Sequence, residues 1–353
     1  MIEFFADYGM FLLKTLTLVV ALGLAVAIVV AASGKGHSSE AGNIEVKSLN
    51  ERYTHMRETL EDAVLDEASL KKLAKEEKQK LKKEKAEQKK TAKTDTDAGV
   101  IKKRVFVLDF DGDIRAQAVD TMREEISAIL TIATENDEVV LKLESGGGVV
   151  HGYGLAASQL SRIKDKSIPL TICVDKVAAS GGYMMACIAS KILAAPFAMV
   201  GSIGVVAQVP NFHKILKKND VDYELFTAGE YKRTVTMFGE NTDKAREKFS
   251  LELEETHELF KDFVGKNRPS IDVPKVATGE VWFGQQAVDL DLVDELGTSD
   301  QYLMEASANA DVYSVTYKTK KSLQEKLGIG VENALVKTFD RAFKELRDNK
   351  FMA

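Results

Sequence analysis

Cysteine is scarce in this chain, with two among 353 residues. Cys173 and Cys187 both lie in apolar runs, where a buried free thiol is the ordinary state, so neither marks a redox compartment. Histidine is scarce too. Of the five, at 37, 55, 151, 213 and 257, only His151 stands beside a glycine-rich turn, and it reads as the first turn of a helix lining a groove. The run Gly146-Gly147-Gly148 lacks the Gly-Lys-Ser/Thr ending of a phosphate-binding loop, and residue 151 is His where a G-x-G-x-x-G spacing needs glycine. That argues against a nucleotide site, and the sequence calls for no cofactor and no metal. No module is repeated along the chain.

Charge is absent from residues 15–34, a stretch that is apolar almost throughout. Twenty helical residues rising about 1.5 Å each cross the ~30 Å hydrocarbon core of a bilayer. A cleaved signal peptide would have a shorter apolar region, about 7–15 residues, behind a basic start, whereas Glu3 and Asp7 precede this one. The expectation is a retained single-pass anchor over residues 10–34 behind a tail of residues 1–9. Lys35, Lys47, Arg52 and Arg57 follow it, which by the positive-inside rule favours a cytoplasmic C-terminal region, though long domains translocate largely regardless of charge.

Residues 35–99 read as a charged helical or disordered spacer. Within it, residues 71–93 hold eleven lysines and four glutamates in a chain of net charge −6. So polar a segment cannot bury a core. It lacks the arginines and aromatic residues that would stack on bases, so nucleic acid is not an expected partner, and contact with anionic lipid headgroups or a plain solvated tether fits better.

From Val100 the pattern changes to alternating strands and helices. Val105–Phe110 reads as a strand, Ala118–Ala133 as an amphipathic helix, Val139–Glu144 and Ile168–Val174 as further strands, and Asn241–Phe263 as a long amphipathic helix. Such a βα succession over residues 100–310 predicts one α/β domain. Residues 311–353 read as a C-terminal strand and a second amphipathic helix, with Leu327, Val331, Leu335, Phe339 and Phe343 on one stripe.

Two strand-to-helix turns stand out. One is Ser145-Gly146-Gly147-Gly148; the other is Ala179-Ser180-Gly181-Gly182-Tyr183. Small residues around Ser180 let a substrate backbone approach, and amides from the two turns could donate to one developing oxyanion. Ser180 is therefore a candidate nucleophile; the competing reading is an N-cap serine, a preferred helix start. Ser202, in Gly201-Ser202-Ile203-Gly204, is either a group that orients a catalytic amine or a turn serine bonded to its own backbone.

Together with Val281-Trp282-Phe283-Gly284-Gln285-Gln286-Ala287, these motifs resemble, over about residues 100–310, the signal peptide peptidase A family of serine peptidases. Ala228–Thr234, Phe238–Thr242 and the apolar N-terminus are most similar to its short, membrane-anchored SohB-type members. One departure is Gly146, where the family usually has proline. The resemblance implies a ClpP/crotonase-type fold, a Ser–Lys dyad of Ser180 and Lys232, and an oxyanion hole from Gly148 and Gly181. It further implies peptide or protein substrates, signal-peptide remnants or other apolar peptides among them, a bacterial inner-membrane location and a catalytic domain facing the periplasm. A chain carrying one module, where longer relatives carry two, is expected to form a homo-oligomer that can complete the dyad across a subunit interface. Two other classes fit the fold: a non-cleaving peptide-binding relative and a crotonase-like acyl-CoA enzyme. The acyl-CoA class does not require a serine at this turn or a lysine 52 residues on, and no nucleotide-recognition pattern is evident.

Overall fold

A computed structural model describes residues 9–18, 42–73, 75, 79, 82 and 102–319. The chain divides into two units, residues 1–43 with 318–353, and Ile44–Tyr317. Of the first, residues 9–18 are helical with exposed side chains. Among the described residues no helix is long and apolar enough to cross a membrane. Most of the anchor expected over 10–34, most of the lysine run and the helix expected beyond 322 lie outside the described residues.

The second unit is a mixed α/β fold. Its strands are β1 (Asn43–Ser48), β2 (Arg104–Gly112), β3 (Glu138–Ser145), β4 (Leu170–Val174), β5 (Val177–Ala179), β6 (Lys191–Ala194), β7 (Met199–Gly201), β8 (Val281–Phe283), β9 (Glu295–Leu296) and β10 (Asp311–Lys318). The helices are α1 (Leu49–Val64), α2 (Val119–Ile129), α3 (Val150–Lys164), α4 (Gly181–Ala186), α5 (His213–Lys218), α6 (Asp243–Asn267), α7 (Val273–Val276), α8 (Gly284–Val288) and α9 (Ser299–Asn309).

Strand order is β1-β10-β2-β3-β4-β6-β9, with β5 branching from β3 to pair β7, and β7 pairing β8. All five residues of β4 are buried. That is the pattern of a parallel strand covered on both faces, and it explains an apolar run without alternation. On β2 the two faces separate: Phe106, Leu108 and Phe110 enter the main core with α2, α3 and α4, while Val105 and Val107 join Val140, Cys173, Leu193, Leu303 and Val312 on the other face. Both cysteines are free and buried, and burial pushes each thiol up to about 12.

The span expected as spacer contains part of this sheet. β1 lies beside β10, which itself pairs with β2 in parallel. Asn50, in the first turn of α1, donates to the Ser307 and Ala310 carbonyls at 2.9 Å each and accepts from Val312 N–H at 2.7 Å. One polar side chain thus ties α1 to the end of α9 and the start of β10. The sequence hid this because β1 is an edge strand with a mostly exposed, polar pattern.

Candidate active site

The sheet divides just after β4, and that division builds the site. Val174 still pairs with Ala194 of β6, but three residues later Val177 pairs with Met199 of β7, while Ala178 meets Ser145 at the end of β3. The glycine turn after β3 and the serine turn after β5 are thereby brought side by side. A Cβ on Gly147 would lie 2.7 Å from Ala179 O, Gly181 N and Ser180 Cβ. With φ of +87°, Gly147 is a position that only glycine fills without strain.

Ser180 sits on a sharp strand-to-helix corner with φ 53° and ψ −118°. A non-glycine residue held there stores roughly 1–3 kcal/mol of backbone strain, a feature concentrated at functional sites. Ser180 stands at the N-cap position of α4, but its side chain makes no capping hydrogen bond. Ser180 is half-buried at this strand-to-helix corner, and the G-x-S-x-G sequence of a nucleophile elbow is absent around it. Among the described residues neither the Gly148 N–H nor the Gly181 N–H has an acceptor in the chain.

Ser180, Gly148 and Gly181 line a cavity of about 220 Å³, whose remaining wall includes Val150, Met184, Val205, Leu259, Phe260 and Phe263. The last three come from α6. That helix starts at Thr242, whose hydroxyl accepts from Ala245 N–H at 3.2 Å. His257, on the same stretch of α6 as the wall residues, bonds Ile203 O at 3.3 Å and so ties α6 to the Ser202 turn. His151 is exposed in the first turn of α3, as its position predicted, and is not among the cavity wall residues.

Ser202 has φ 51°, and its N–H donates to Glu280 O at 2.6 Å. Its hydroxyl makes no hydrogen bond to its own turn. Lys232 is placed differently. It lies in the irregular segment between α5 and α6, is exposed, and its N–H bonds Gly229 O at 3.2 Å. It neither lines the Ser180 cavity nor hydrogen-bonds Ser180. Within one chain, then, Ser180, Gly148 and Gly181 share one cavity, Ser202 follows the strand paired beside Ser180 without lining that cavity, and Lys232 stands apart. Glu230, the carboxylate beside Lys232, is engaged by Lys244 at 2.7 Å, and that hydrogen bond holds it below the usual carboxylate range.

Two residues to which the sequence assigned no role stand behind the glycine turn. Ser145 Oγ accepts from Gly147 N–H at 3.1 Å and lies 2.5 Å from the Tyr153 hydroxyl. Nothing in the sequence beyond a serine before three glycines and a tyrosine on the following helix points to that pair.

Comparison with known proteins adds two family matches and close relatives. Residues 3–160 match the model described as peptidase family S49 N-terminal, and residues 162–313 match peptidase family S49. The chain is 53% identical over 348 residues to a protein named "Probable protease SohB" from Haemophilus influenzae, covering 98% of each. It is 47% identical over 312 residues to one of the same name from Buchnera aphidicola subsp. Schlechtendalia chinensis, covering 86% of this chain and 99% of that one. Among solved structures, a membrane-bound stomatin-specific protease in complex with a substrate peptide aligns with 66% of this chain and 100% of its own, at 13% identity and a TM-score of 0.39, a distant likeness.

Proposed function

The chain belongs to peptidase family S49, on its SohB-type branch, and is a serine peptidase; from that premise we propose that Ser180 is the nucleophile and Lys232 the general base of a membrane-anchored endopeptidase. The observation that carries this reading is the strained, uncapped Ser180 beside two unpartnered amides at an apolar cavity.

In the reaction, Ser180 Oγ attacks a peptide carbonyl while a neutral lysine amine takes its proton, and the Gly148 and Gly181 N–H groups stabilise the oxyanion. The protonated amine then gives its proton to the leaving nitrogen, and the acyl-enzyme is hydrolysed by water activated by the same amine. An ordinary lysine amine has a pKa of about 10.4, so a lysine base must be desolvated to be neutral. An exposed Lys232 does not meet that condition within a single chain. The base therefore comes from a neighbouring copy in a homo-oligomer, where the interface desolvates it and Ser202 orients it. Supporting this, the segment that bears Lys232 carries apolar side chains open to solvent, among them Val221 (49% exposed) and Phe226 (86%).

Residues 10–34 hold the enzyme in a bacterial inner membrane, with the catalytic unit on the periplasmic side and the lysine-rich run near the bilayer surface. The domain is of the ClpP/crotonase type, and the apolar wall suits extended apolar peptides such as signal-peptide remnants. A fluorophosphonate probe tests the nucleophile: the detergent-solubilised protein is expected to label, and Ser180→Ala to abolish labelling. Labelling that survives the substitution would refute the assignment.

A further inference from the structure

We propose that Tyr153 is a positioning residue for the oxyanion site, fixing the Gly147-Gly148 turn through its hydroxyl and the Ser180-Gly181 turn through its ring. The inference rests on the role proposed for Ser180 and adds to it the group that sets the oxyanion donors in place.

The hydroxyl works through a chain of hydrogen bonds whose direction is determined at both ends. Asp113 O can only accept, so the Tyr153 hydroxyl donates to it, at 2.7 Å. Gly147 N–H can only donate, and it does so to Ser145 Oγ at 3.1 Å. The remaining link, 2.5 Å between Ser145 Oγ and the Tyr153 hydroxyl, must then run from serine to tyrosine. Among the described residues the rival acceptor for the serine proton, Gly112 O, is farther away at 3.4 Å. Protons thus point one way from Gly147 through Ser145 and Tyr153 to Asp113, an arrangement in which each bond polarises the next. Burial raises the phenol above its ordinary value, so it keeps the proton the chain needs.

The ring works by contact. A Cβ on Gly181 would lie 2.4 Å from Tyr153 Cγ, so the ring lies directly against the Gly181 backbone. Tyr153 is fully buried and held edge-on to Phe110 at 6.4 Å between centroids, which fixes its plane. One side chain therefore braces both turns. Neither Tyr153 nor Ser145 lines the cavity, so each acts on substrate only through those turns.

The test compares Tyr153→Phe, which keeps the ring and loses the hydroxyl, with Tyr302→Phe. Tyr302 donates to Glu138 at 2.5 Å and packs on the opposite face of the sheet, so it controls for loss of a tyrosine hydroxyl as such. The readouts are the rate of fluorophosphonate labelling, kcat and KM on a peptide substrate, and the melting temperature. Since removing a whole oxyanion donor costs about 10²–10³ in kcat, Tyr153→Phe is expected to slow labelling and kcat by about ten- to a hundredfold with KM within about twofold, and Tyr302→Phe to leave both rates unchanged. Ser145→Ala, which cuts the same chain at its middle, should match Tyr153→Phe, and the double variant should be no slower than either. Should Tyr153→Phe fail to fold, Ser145→Ala alone decides. Rates equal to wild type in a folded variant, or an equal loss in Tyr302→Phe, would overturn the inference. Labelling that persists in Ser180→Ala would instead overturn the nucleophile assignment on which it rests.

Discussion

Ser180 and Ser202 occupy equivalent places on adjacent strands: each directly follows one member of the paired residues Ala179 and Gly201, and each is held at positive φ, 53° and 51°. The Ser180 N–H closes the corner by donating to Gly201 O at 2.8 Å. On the roles proposed for them, an amine placed between these two serines would meet the nucleophile on one side and a hydrogen-bond acceptor on the other.

Ser202→Ala is accordingly expected to lower kcat by roughly tenfold or more, part of the about 10²–10⁴-fold that general acid–base catalysis supplies, with little change in KM. Steady-state kinetics on a peptide substrate check this. An unchanged kcat would leave Ser202 as a turn residue only.

The glycine turn separates two neighbouring positions. Gly147 has φ of +87° and no room for a Cβ, so Gly147→Ala should destabilise the fold and abolish labelling of Ser180. Gly146 has open space at the Cβ position and no positive φ. Gly146→Ala should therefore stabilise by about 0.4–1 kcal/mol through the unfolded chain. Thermal unfolding of the two variants distinguishes the positions; equal effects would contradict the turn described here.

Acid stability follows from Asp137. Burial alone would push its carboxyl up, but hydrogen bonds from the Arg104 guanidinium, from the Thr134 N–H and hydroxyl, and from the Arg104 N–H outweigh that and hold it down to about 2. A carboxylate lowered on folding contributes stability that is present above its unfolded value, near 3.8, and is lost as pH falls toward 2. The contribution is roughly 2 kcal/mol. Denaturant titrations from pH 5 to pH 2 should show that loss in the wild type and a flatter profile in Asp137→Asn.

Much of this site could be read from residues alone. The apolar runs before Ser145 and Ser180 and the small residues after them placed two turns on strands of one sheet, and the bounds of the long helix were near those observed. The placement of β1 and β10 was not legible, because their pairing rests on backbone bonds and on Asn50 rather than on an apolar pattern. Nor was the brace behind the glycines, since Ser145 and Tyr153 meet only once a strand and a helix are packed. The identity of the lysine was suggested by its motif. Its distance from Ser180 within one chain was not, because no local pattern fixes the path of the irregular segment after β7.

A direct test of the central claim, that Ser180 of one copy works with Lys232 of another, is to mix two inactive proteins, Ser180→Ala and Lys232→Ala. Lys232→Arg serves as a third inactive partner, because arginine is not deprotonated in proteins. After subunit exchange, some interfaces pair an intact serine with an intact lysine, so peptidase activity is expected to return in the mixture and in neither protein alone. Exchange confirmed by mixed species on native mass spectrometry with no return of activity would contradict the shared site.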